Sequence, residues 1–375
     1  MSFAFGFSSE DLSDDEDVKN GFLKNENFKE NSIFTNPLDN LKISSSHHPK
    51  LVNIEELLKT LIGNRFTFTR TLTGAGNVVF RRELFDVKHQ LMVEEGNNTM
   101  MDPDEVKILM GDTNEDLKNQ VYEGGLKSWE CSFDVVDLLS NSKLINENNN
   151  FNFIELGCGT ALPSCFFFKK QIEQKINRNI SFILSDYNLS VLRLVTLPNL
   201  IINWSTTLTK EKLIDLQKSI DDVPIIEDEL QITEKLIENF IQSLIDNKIE
   251  LKLILGSWNR EFMNIIINNQ LIQPQRSNLI ISSETIYSPT ILPIVGELII
   301  EILNLIKQLN KIEVKNLNNL ETLAIVAAKD IYFGVGGSIN QFLQYLNDRI
   351  EKGANIQYKV QKLQSNLRRS IIKIS

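Results

Sequence analysis

From residue 151 onwards, compact apolar runs alternate with longer segments in which apolar residues recur every three or four positions. Apolar runs bounded by polar residues predict buried strands, and the wider spacing predicts helices that bury one face. The predicted strands cover 151–156, 180–184, 250–255, 278–282 and 322–327, followed by closing strands at 356–360 and 371–374. This alternation predicts an α/β fold, in which a mostly parallel, twisted sheet carries helices on both faces.

The part of the chain before this pattern divides into two predicted regions. Residues 1–50 are rich in Asn, Lys, Glu and Ser and include an acidic run at 8–17, which is typical of a disordered acidic tail; 47–49 (H-H-P) is interpreted as linker. Residues 51–120 are predicted to form an N-terminal extension or small subdomain.

Local patterns within the extension predict individual elements. Apolar spacing predicts a helix at 51–59, the Thr/Phe-rich stretch 67–79 is extended, and the imperfect alternation at 83–92 predicts a strand. The main domain is predicted at 121–375. Within it, 205–248 is rich in Lys, Glu and Asp and is interpreted as a charged insertion of amphipathic helices outside the core.

Distinctive residues follow the carboxyl ends of the predicted strands. In open parallel sheets these ends lie along one edge, and ligands bind there near the point where the strand order reverses. The residues are Gly157, Gly159, Asp186, Trp258, Ser283, Glu284 and Tyr332. Their convergence favours an enzyme more strongly than any single motif does.

The first predicted strand ends in E-L-G-C-G at 155–159, an acid followed by two glycines at a spacing of two. Glycines allow close approach of the backbone to a ligand, and the next helix presents free N–H groups there. A dinucleotide site expects a third glycine where Leu162 stands. The acid at Glu155 suits instead the ammonium of S-adenosylmethionine, which carries no phosphate. From this stretch alone, an ordinary strand–turn–helix is the alternative.

Two further positions each have a structural and a functional interpretation. Asp186 follows the second strand, where doubly wound folds bind a ribose diol, but an acid there is equally suited to cap a helix. Trp129 follows Gly124-Gly125 just before a predicted helix, and its indole either fills the core or covers a flat ligand.

Composition narrows the classes of function. The 375 residues carry a formal net charge of −10, which argues against a nucleic-acid-binding surface. With three cysteines and three histidines, a structural zinc site and Ser-His-Asp chemistry are both disfavoured, and the thiols are expected to be reduced. We expect no metal, no secretory signal and no membrane span.

Several blocks together resemble the histidine protein methyltransferases, a branch of the seven-β-strand, S-adenosylmethionine-dependent class. The blocks are Y-E-G-G-L-K-S-W-E-C at 122–131, E-L-G-C-G-T-A-L at 155–162, S-D-Y-N at 185–188, G-S-W at 256–258, S-S-E-T-I-Y at 282–287 and K-D-I-Y-F-G-V-G-G at 329–337. The resemblance runs from about residue 80 to the C-terminus. Its departures are the long 205–248 segment and Ser257, which stands where an acidic residue is common.

The resemblance implies a Rossmann-like class I methyltransferase that uses S-adenosylmethionine to methylate the tele nitrogen of a histidine in a large-subunit ribosomal protein. Because we see no targeting signal, both the cytoplasm and the nucleus stay open, and we expect a monomer that makes no direct contact with nucleic acid. The implied cofactor-binding residues are Ser128, Trp129, Glu130, Cys131, Ser132, Glu155, Gly157, Gly159, Asp186, Tyr187, Asn188, Gly256, Ser257, Trp258 and Ser283.

Glu284 and Tyr287 are the predicted catalytic residues. A neutral imidazole attacks through the nitrogen that carries no proton. A carboxylate that accepts from the other N–H holds this tautomer and stabilises the imidazolium that forms. We assign this role to Glu284, and Tyr287 either walls the substrate slot or hydrogen-bonds to the substrate. The alternative is that Glu284 caps a helix and Tyr287 packs. The loop at 334–337 is predicted to shape the mouth.

Three other functions stay open at this point. A lysine methyltransferase of the same fold needs a route for the proton that lysine must lose before it attacks. An assembly factor for a ribosomal protein, with S-adenosylmethionine as a structural ligand, would use the acidic run to attract a basic client. An NAD-dependent oxidoreductase fits least, because the third glycine is missing.

Overall fold

A computed structural model describes residues 34–41, 47–94, 123–143, 148–218, 227–313, 320–363 and 367–375, and residues 36–375 form one compact unit. The predicted acidic run at 8–17 lies outside the described residues. The strands are β1 Lys50–Val52, β2 Arg65–Leu72, β3 Val78–Arg82, β4 Phe151–Leu156, β5 Ile180–Asp186, β6 Glu229–Gln231, β7 Ile249–Leu255, β8 Ser277–Ser283, β9 Thr322–Lys329, β10 Tyr358–Leu363 and β11 Arg369–Ile374.

The helices lie mostly between these strands. They are α1 Pro37–Asn40, α2 Ile54–Lys59, α3 Leu84–Glu94, α4 Glu130–Ser140, α5 Leu162–Gln174, α6 Leu189–Val191, a π-helical turn Leu192–Thr196, α7 Leu197–Ser205, α8 Lys210–Gln217, α9 Glu234–Asp246, α10 Arg260–Asn268, α11 Leu292–Glu313 and α12 Ile339–Glu351. In the parts of the chain given above, no helix combines the length and apolarity needed to cross a membrane.

The main sheet has eight strands in the order β1-β7-β5-β4-β8-β9-β11-β10. β4 pairs in parallel with β5 on one side and with β8 on the other. The chain therefore builds outwards from β4 through β5 and β7, then returns and continues through β8 and β9. The strand order reverses between β4 and β8, where a crevice opens in folds of this type. The predicted mostly parallel sheet is confirmed.

Residues of the central strands alternate between the two faces of the sheet, and helices cover both faces. Phe153 and Phe182 face one side, where their rings lie 5.0 Å apart and pack with Phe167 of α5. Ile154 and Ile183 face the other side with α10 and α11. Burial of each such side chain contributes about 1.5–3 kcal/mol. Because both faces are buried, these strands are apolar throughout, which made them recognisable in the sequence.

The predicted strand at 83–92 is wrong, because this segment forms helix α3. Val87 and Leu91, four residues apart, are buried against residues of the π-helical turn. Arg82 adds an ion pair to Asp86, with a nitrogen-to-oxygen distance of 2.6 Å. The helical spacing of two apolar residues thus outweighs the imperfect alternation on which the strand was predicted.

The strands of the N-terminal extension belong to two different sheets. β1 pairs antiparallel with β7, so it continues the edge of the main sheet. β2 pairs with β3 and also with β6, which forms a second sheet of three strands. The segment predicted as a charged insertion, 205–248, therefore supplies a strand to this small sheet.

The prediction that 205–248 lies outside the core is corrected by helix α9. Its residues Leu236, Ile237 and Phe240 are buried in the main core, where the Phe240 ring lies 5.5 Å from that of Trp204. The helix is amphipathic, so its charged face dominates the composition while its other face fills the core.

The predicted tail also ends earlier than residue 50. Helix α1 begins after Asn36, whose side chain accepts from the Leu38 N–H at 2.9 Å, and Leu38 itself is buried. Asp39 pairs with Arg260 of α10 at 2.7 Å. A capping residue, one buried leucine and one ion pair hold this short segment, and none of these is visible in a composition.

Candidate active site

A pocket opens at the carboxyl ends of β4, β5, β7 and β8, where the strand order reverses; its empty space, counted out into open solvent, is about 1080 Å³. Its walls come from the turns after these strands, from the loop before α4 and from the start of α11. Among the predicted site residues, it is lined by Trp129, Ser132, Gly157, Gly159, Asp186, Tyr187, Gly256, Ser257, Trp258, Ser283, Glu284 and Tyr287. The strand ends thus bring these residues together.

The glycine turn after β4 leaves no room for side chains. Gly157 has a φ of +69°, and a Cβ there would lie 2.7 Å from Thr285 Cγ2 and 3.2 Å from the Trp258 ring. Gly159 has a φ of +51°, and its Cβ would lie 3.0 Å from the carbonyl oxygen of Gly125. The left-handed backbone and the lack of space both require glycine at these positions.

The Gly157→Ala substitution is expected to weaken binding of S-adenosylmethionine, the cofactor that the family resemblance implies, by about tenfold or more. A left-handed alanine costs about 1–2 kcal/mol, and the added methyl also displaces Thr285 or Trp258 from the pocket wall. Gly63 provides the control, since its φ is +88° but a Cβ there meets nothing within 4 Å. We expect Gly63→Ala to lower the thermal unfolding midpoint without changing the calorimetric Kd. Equal effects of the two substitutions on Kd would contradict the assignment.

Asp186 is a buried acid at the end of β5. Its Oδ2 accepts from the Gly159 N–H at 2.9 Å, and its Oδ1 accepts from the Asn188 N–H at 3.3 Å. Burial raises the pKa of Asp186 to about 6, against the lowering effect of these backbone hydrogen bonds. Asp186 also lines the pocket, so its carboxylate is available to accept from ligand hydroxyl groups.

Aromatic rings form the walls beside Asp186. Burial raises the pKa of Tyr187 to about 12, and its ring stacks on His47 with centroids 4.2 Å apart. The Trp258 indole N–H donates to Ser185 Oγ at 3.3 Å. The predicted linker residue His47 is therefore packed against the pocket, and its carbonyl oxygen accepts from the Ser257 N–H at 3.0 Å.

Gly256 explains how this N-terminal segment approaches so closely. Its φ is +107°, and a Cβ would lie 2.8–2.9 Å from His47, His48 and Pro49 backbone atoms. A side chain at Gly256 would therefore displace the segment from the pocket rim.

Trp129 stands at the N-cap position of α4 and faces the pocket. Its indole N–H donates to the Gly124 carbonyl at 3.1 Å. The Nζ atoms of Lys127 and Lys329 lie 5.0 Å and 5.1 Å from the ring centroid, within cation–π distance. The ring is thus held in place at the mouth of the pocket and is not a core plug.

Glu284 has the most unusual environment in the pocket. Its backbone is left-handed, with a φ of +59°, which is uncommon for a residue other than glycine and often marks a functional site. Its Oε1 accepts from the Cys131 N–H in the first turn of α4 at 3.3 Å, and its Oε2 accepts from the Tyr332 hydroxyl at 2.5 Å. Burial and the charge of Glu284 raise the pKa of Tyr332 well above its ordinary value, so the hydroxyl stays protonated.

The predicted mouth loop packs directly on the segment that carries Glu284. The Gly337 N–H donates to the Tyr287 carbonyl at 2.8 Å, and a Cβ on Gly337 would lie 2.3 Å from the Ile286 carbonyl oxygen. The Tyr287 and Tyr332 rings meet edge to face with centroids 6.5 Å apart. This contact joins the loops after β8 and β9 into one wall.

The predicted contact of Glu155 with a ligand amine is not supported by its contacts. Glu155 is fully buried at the end of β4 and does not line the pocket, because its side chain turns towards the start of α5. Its Oε2 accepts from both the N–H and the hydroxyl of Ser164. Burial raises the pKa of Glu155 to about 8.

Four other predicted residues do not line the pocket, and three of them contact residues that do. Ser128 donates to Thr160 at 3.0 Å, and Glu130 pairs with Lys329 at 3.0 Å. Cys131 contributes its backbone N–H to Glu284, as described above. Asn188 Oδ1 accepts from the backbone N–H of Glu123 at 3.4 Å.

Ten residues that line the pocket were not among the predicted site residues. They are Leu41, Glu123, Gly124, Gly125, Lys127, Cys158, Thr160, Thr285, Ile291 and Ile294. Most of them belong to the quoted sequence blocks at 122–131, 155–162 and 282–287, so the blocks themselves could have identified them. Leu41 and the two isoleucines carry no such signal, because an isolated apolar residue is most often core.

In the described part of the chain, no three His, Cys, Asp or Glu side chains are grouped closely enough to hold a metal ion. Cys131, Cys158 and Cys165 are all buried and free. Burial raises the pKa of each thiol, and nearby carboxylates raise it further. The thiols are therefore protonated near pH 7.

Comparison with known proteins identifies relatives along the whole chain. Histidine protein methyltransferase 1 of Saccharomyces cerevisiae is 43% identical over 382 residues, covering 99% of this chain and 98% of the relative. The protein of the same name from Schizosaccharomyces pombe is 33% identical, covering 78% of this chain and 74% of its own length. A Bos taurus homolog is 27% identical over 62% of this chain and 51% of its own length. A scan of protein-family models finds no match.

Proposed function

Since the chain belongs to the histidine protein methyltransferase 1 family, we propose that it methylates the tele nitrogen of a histidine in a large-subunit ribosomal protein. The family establishes the broader statement: the chain is an S-adenosylmethionine-dependent protein-histidine methyltransferase with a class I fold, and its substrate is a protein. This membership decides against the lysine methyltransferase, the assembly factor and the oxidoreductase that the sequence left open.

The pocket has groups that match S-adenosylmethionine. Asp186 offers buried acceptor oxygens for the ribose hydroxyls, and the flat rings of Tyr187 and Trp258 suit an adenine. The turn at Gly157 leaves the backbone clear for the methionine part. Beneath that turn, Glu155 Oε1 is buried without a hydrogen-bond partner among the described residues, but Glu155 does not line the pocket, so we assign it no ligand contact.

S-adenosylmethionine, when bound, supplies a methyl group that its positive sulfur has already activated. The residues of the chain therefore have to bind, align the acceptor and exclude water. The rings of Trp129 and Tyr287 and the apolar side chains of Ile291 and Ile294 line the pocket and serve the last of these tasks.

The observation that carries the proposal is the position of Glu284. Its carboxylate is held from one side by the Cys131 N–H and from the other by the Tyr332 hydroxyl. An ionised carboxylate has about four lone-pair sites, so two remain for another donor. Because Glu284 lines the pocket, its remaining lone-pair sites are available to a donor on the acceptor side chain.

We propose that the Glu284 carboxylate accepts a hydrogen bond from the N–H at the pros nitrogen (Nδ1) of the acceptor histidine. Holding this N–H leaves the lone pair on the tele nitrogen (Nε2), which then attacks. The negative charge also stabilises the imidazolium as it forms, and no prior deprotonation of the acceptor is needed.

The ribosomal client and the cell compartment are further parts of the proposal. A formal net charge of −10 and the acidic run at 8–17 favour a basic partner, because complementary charges speed encounter and add specificity. Large-subunit ribosomal proteins are basic. They are made in the cytoplasm and assembled in the nucleus, and we place the enzyme in both compartments. We propose that it acts as a monomer and does not bind nucleic acid directly.

The client is identified by labelling large-subunit ribosomal proteins from cells that lack the enzyme, using the purified chain and isotope-labelled S-adenosylmethionine. Mass spectrometry is expected to find one labelled protein, carrying tele-methylhistidine. A parallel reaction uses a whole-cell extract in place of the ribosomal proteins. If the labelled histidine there belongs to a non-ribosomal protein, the proposed ribosomal substrate is wrong. Label on lysine would overturn the role of Glu284.

A further inference from the structure

The loop between β9 and α12 carries an unusual exposed surface. Phe333 is 88% exposed and Ile331 is 55% exposed, and Phe333 is the most exposed large apolar side chain among the described residues. We call these two side chains the Phe333 patch. Single exposed apolar side chains are common on proteins, so the meaning of this pair depends on where the loop lies relative to the pocket.

The Phe333 patch is presented by a loop with a fixed base. Ile331 forms an antiparallel bridge with Ser338, and the Ile339 N–H donates to the Asp330 carbonyl at 3.1 Å. Asp330 is anchored in turn, since its Oδ1 accepts from the Ser370 hydroxyl at 2.6 Å. The aromatic side chain is therefore held outwards by the backbone, and a partner can bind it with little ordering of the loop.

The same loop is continuous with the acceptor end of the pocket. Tyr332 lies between the two residues of the patch, and its hydroxyl donates to Glu284. Its ring meets Tyr287, and the Gly337 N–H donates to the Tyr287 carbonyl. A polypeptide whose histidine enters the pocket towards Glu284 can therefore contact the Phe333 patch with a neighbouring residue.

Two of the basic residues around this part of the mouth are in ion pairs. Lys329 contacts Glu130 at 3.0 Å, and Arg369 contacts Asp134 at 2.6 Å. Apolar contact therefore contributes to the recognition of a substrate segment that docks here, while the net charge of the chain acts at longer range.

We propose that the Phe333 patch binds an apolar side chain of the protein substrate, close in sequence to its acceptor histidine. This inference rests on the proposed function, because it needs a polypeptide acceptor at Glu284. It adds a specificity element: histidines with an apolar residue nearby in the sequence are better acceptors than histidines without one.

The test compares Phe333→Ser with Ile245→Ser. Ile245 is 65% exposed and lies in the last turn of α9, which leads into the amino end of β7, whereas the pocket lies at the carboxyl ends of the strands. The acceptor is the pool of large-subunit ribosomal proteins from cells that lack the enzyme, and the readout is the rate of histidine labelling. At low pool concentration we expect Phe333→Ser to be about tenfold slower than wild type, a difference of about 1.4 kcal/mol. The deficit should shrink as the concentration of the pool is raised.

Two further measurements separate docking from folding. Phe333→Leu keeps an apolar side chain and is expected to retain most of the wild-type rate. The thermal midpoint and the Kd for S-adenosylmethionine should match wild type for all three variants. Unchanged labelling by Phe333→Ser, or an equal loss in Ile245→Ser, would overturn the docking inference while leaving the proposed function intact. Failure of the wild type to label any histidine would overturn the proposed function, and the inference with it.

Discussion

Replacing Glu284 with glutamine is expected to lower kcat by about 100-fold or more, while the Kd for S-adenosylmethionine stays within about twofold of wild type. The amide keeps the shape of the side chain but removes the negative charge that stabilises the imidazolium. Steady-state kinetics gives kcat, with the ribosomal protein that the labelling experiment identifies as the substrate. Calorimetry gives the Kd for S-adenosylmethionine. Full activity of the variant would show that the carboxylate does not orient the acceptor.

Tyr332→Phe serves as the matched control for this substitution. It removes the hydroxyl that donates to Glu284 but leaves the Cys131 N–H in place. Because a positioning contact contributes less than the group it positions, we expect kcat to fall by about three- to tenfold. A purely structural role for Tyr332 would instead lower the thermal midpoint and leave kcat unchanged at temperatures where the chain is folded.

The second large effect is expected at the cofactor end of the pocket. Asp186→Asn should weaken binding of S-adenosylmethionine by about 10- to 100-fold, because two charge-assisted hydrogen bonds to the ribose become neutral ones. At neutral pH the free energy of unfolding should change little, because removal of the buried charge offsets the one backbone hydrogen bond that the amide nitrogen cannot accept. The raised pKa of Asp186 means that its charged form is disfavoured in the folded chain. Loss of stability without loss of affinity would identify Asp186 as a plain helix cap.

The pH dependence of binding follows from the same pKa. Burial raises the pKa of Asp186 from 3.8 to about 6, so the stability it contributes is greatest below pH 3.8 and is lost as pH rises through about 6. Ribose hydroxyls favour the ionised form and oppose this trend. We therefore expect the Kd to rise by about tenfold between pH 7 and pH 5. In Asp186→Asn this acid limb should disappear, and any dependence due to Glu155, whose pKa is raised to about 8, should remain.

The central sheet could be predicted from the sequence because its strands are buried on both faces and read as continuous apolar runs. The same property places residues at known strand ends, which is why Asp186, Trp258 and Glu284 could be expected on one edge. Their placement on one edge needed only the parallel direction of the strands, not the strand order or the details of packing.

Contacts between distant segments could not be predicted in this way. Tyr332 and Glu284 are 48 positions apart, and their hydrogen bond depends on the adjacency of β8 and β9 and on a left-handed backbone at Glu284. The buried position of Glu155 depends on which way one side chain turns at the end of β4. Such contacts are decided by tertiary packing rather than by local pattern.

The N-terminal part shows a different limit. His47 contacts Tyr187, and Leu41 lines the pocket, although the composition of this region is typical of a disordered tail. A few anchoring contacts, such as the pairing of Asp39 with Arg260, suffice to hold a short segment. Composition averages over many residues and cannot detect them.

The most direct test of the account is a structure of the chain with S-adenosylhomocysteine and an unmethylated peptide. The peptide carries the acceptor histidine that the labelling experiment identifies. The account predicts that a Glu284 carboxylate oxygen lies about 3 Å from Nδ1 of the acceptor imidazole, with Nε2 facing the sulfur. An imidazole that binds elsewhere in the pocket, with Glu284 contacting only Cys131 and Tyr332, would contradict it. In that case Glu284 would be a structural link between α4 and the loop after β9.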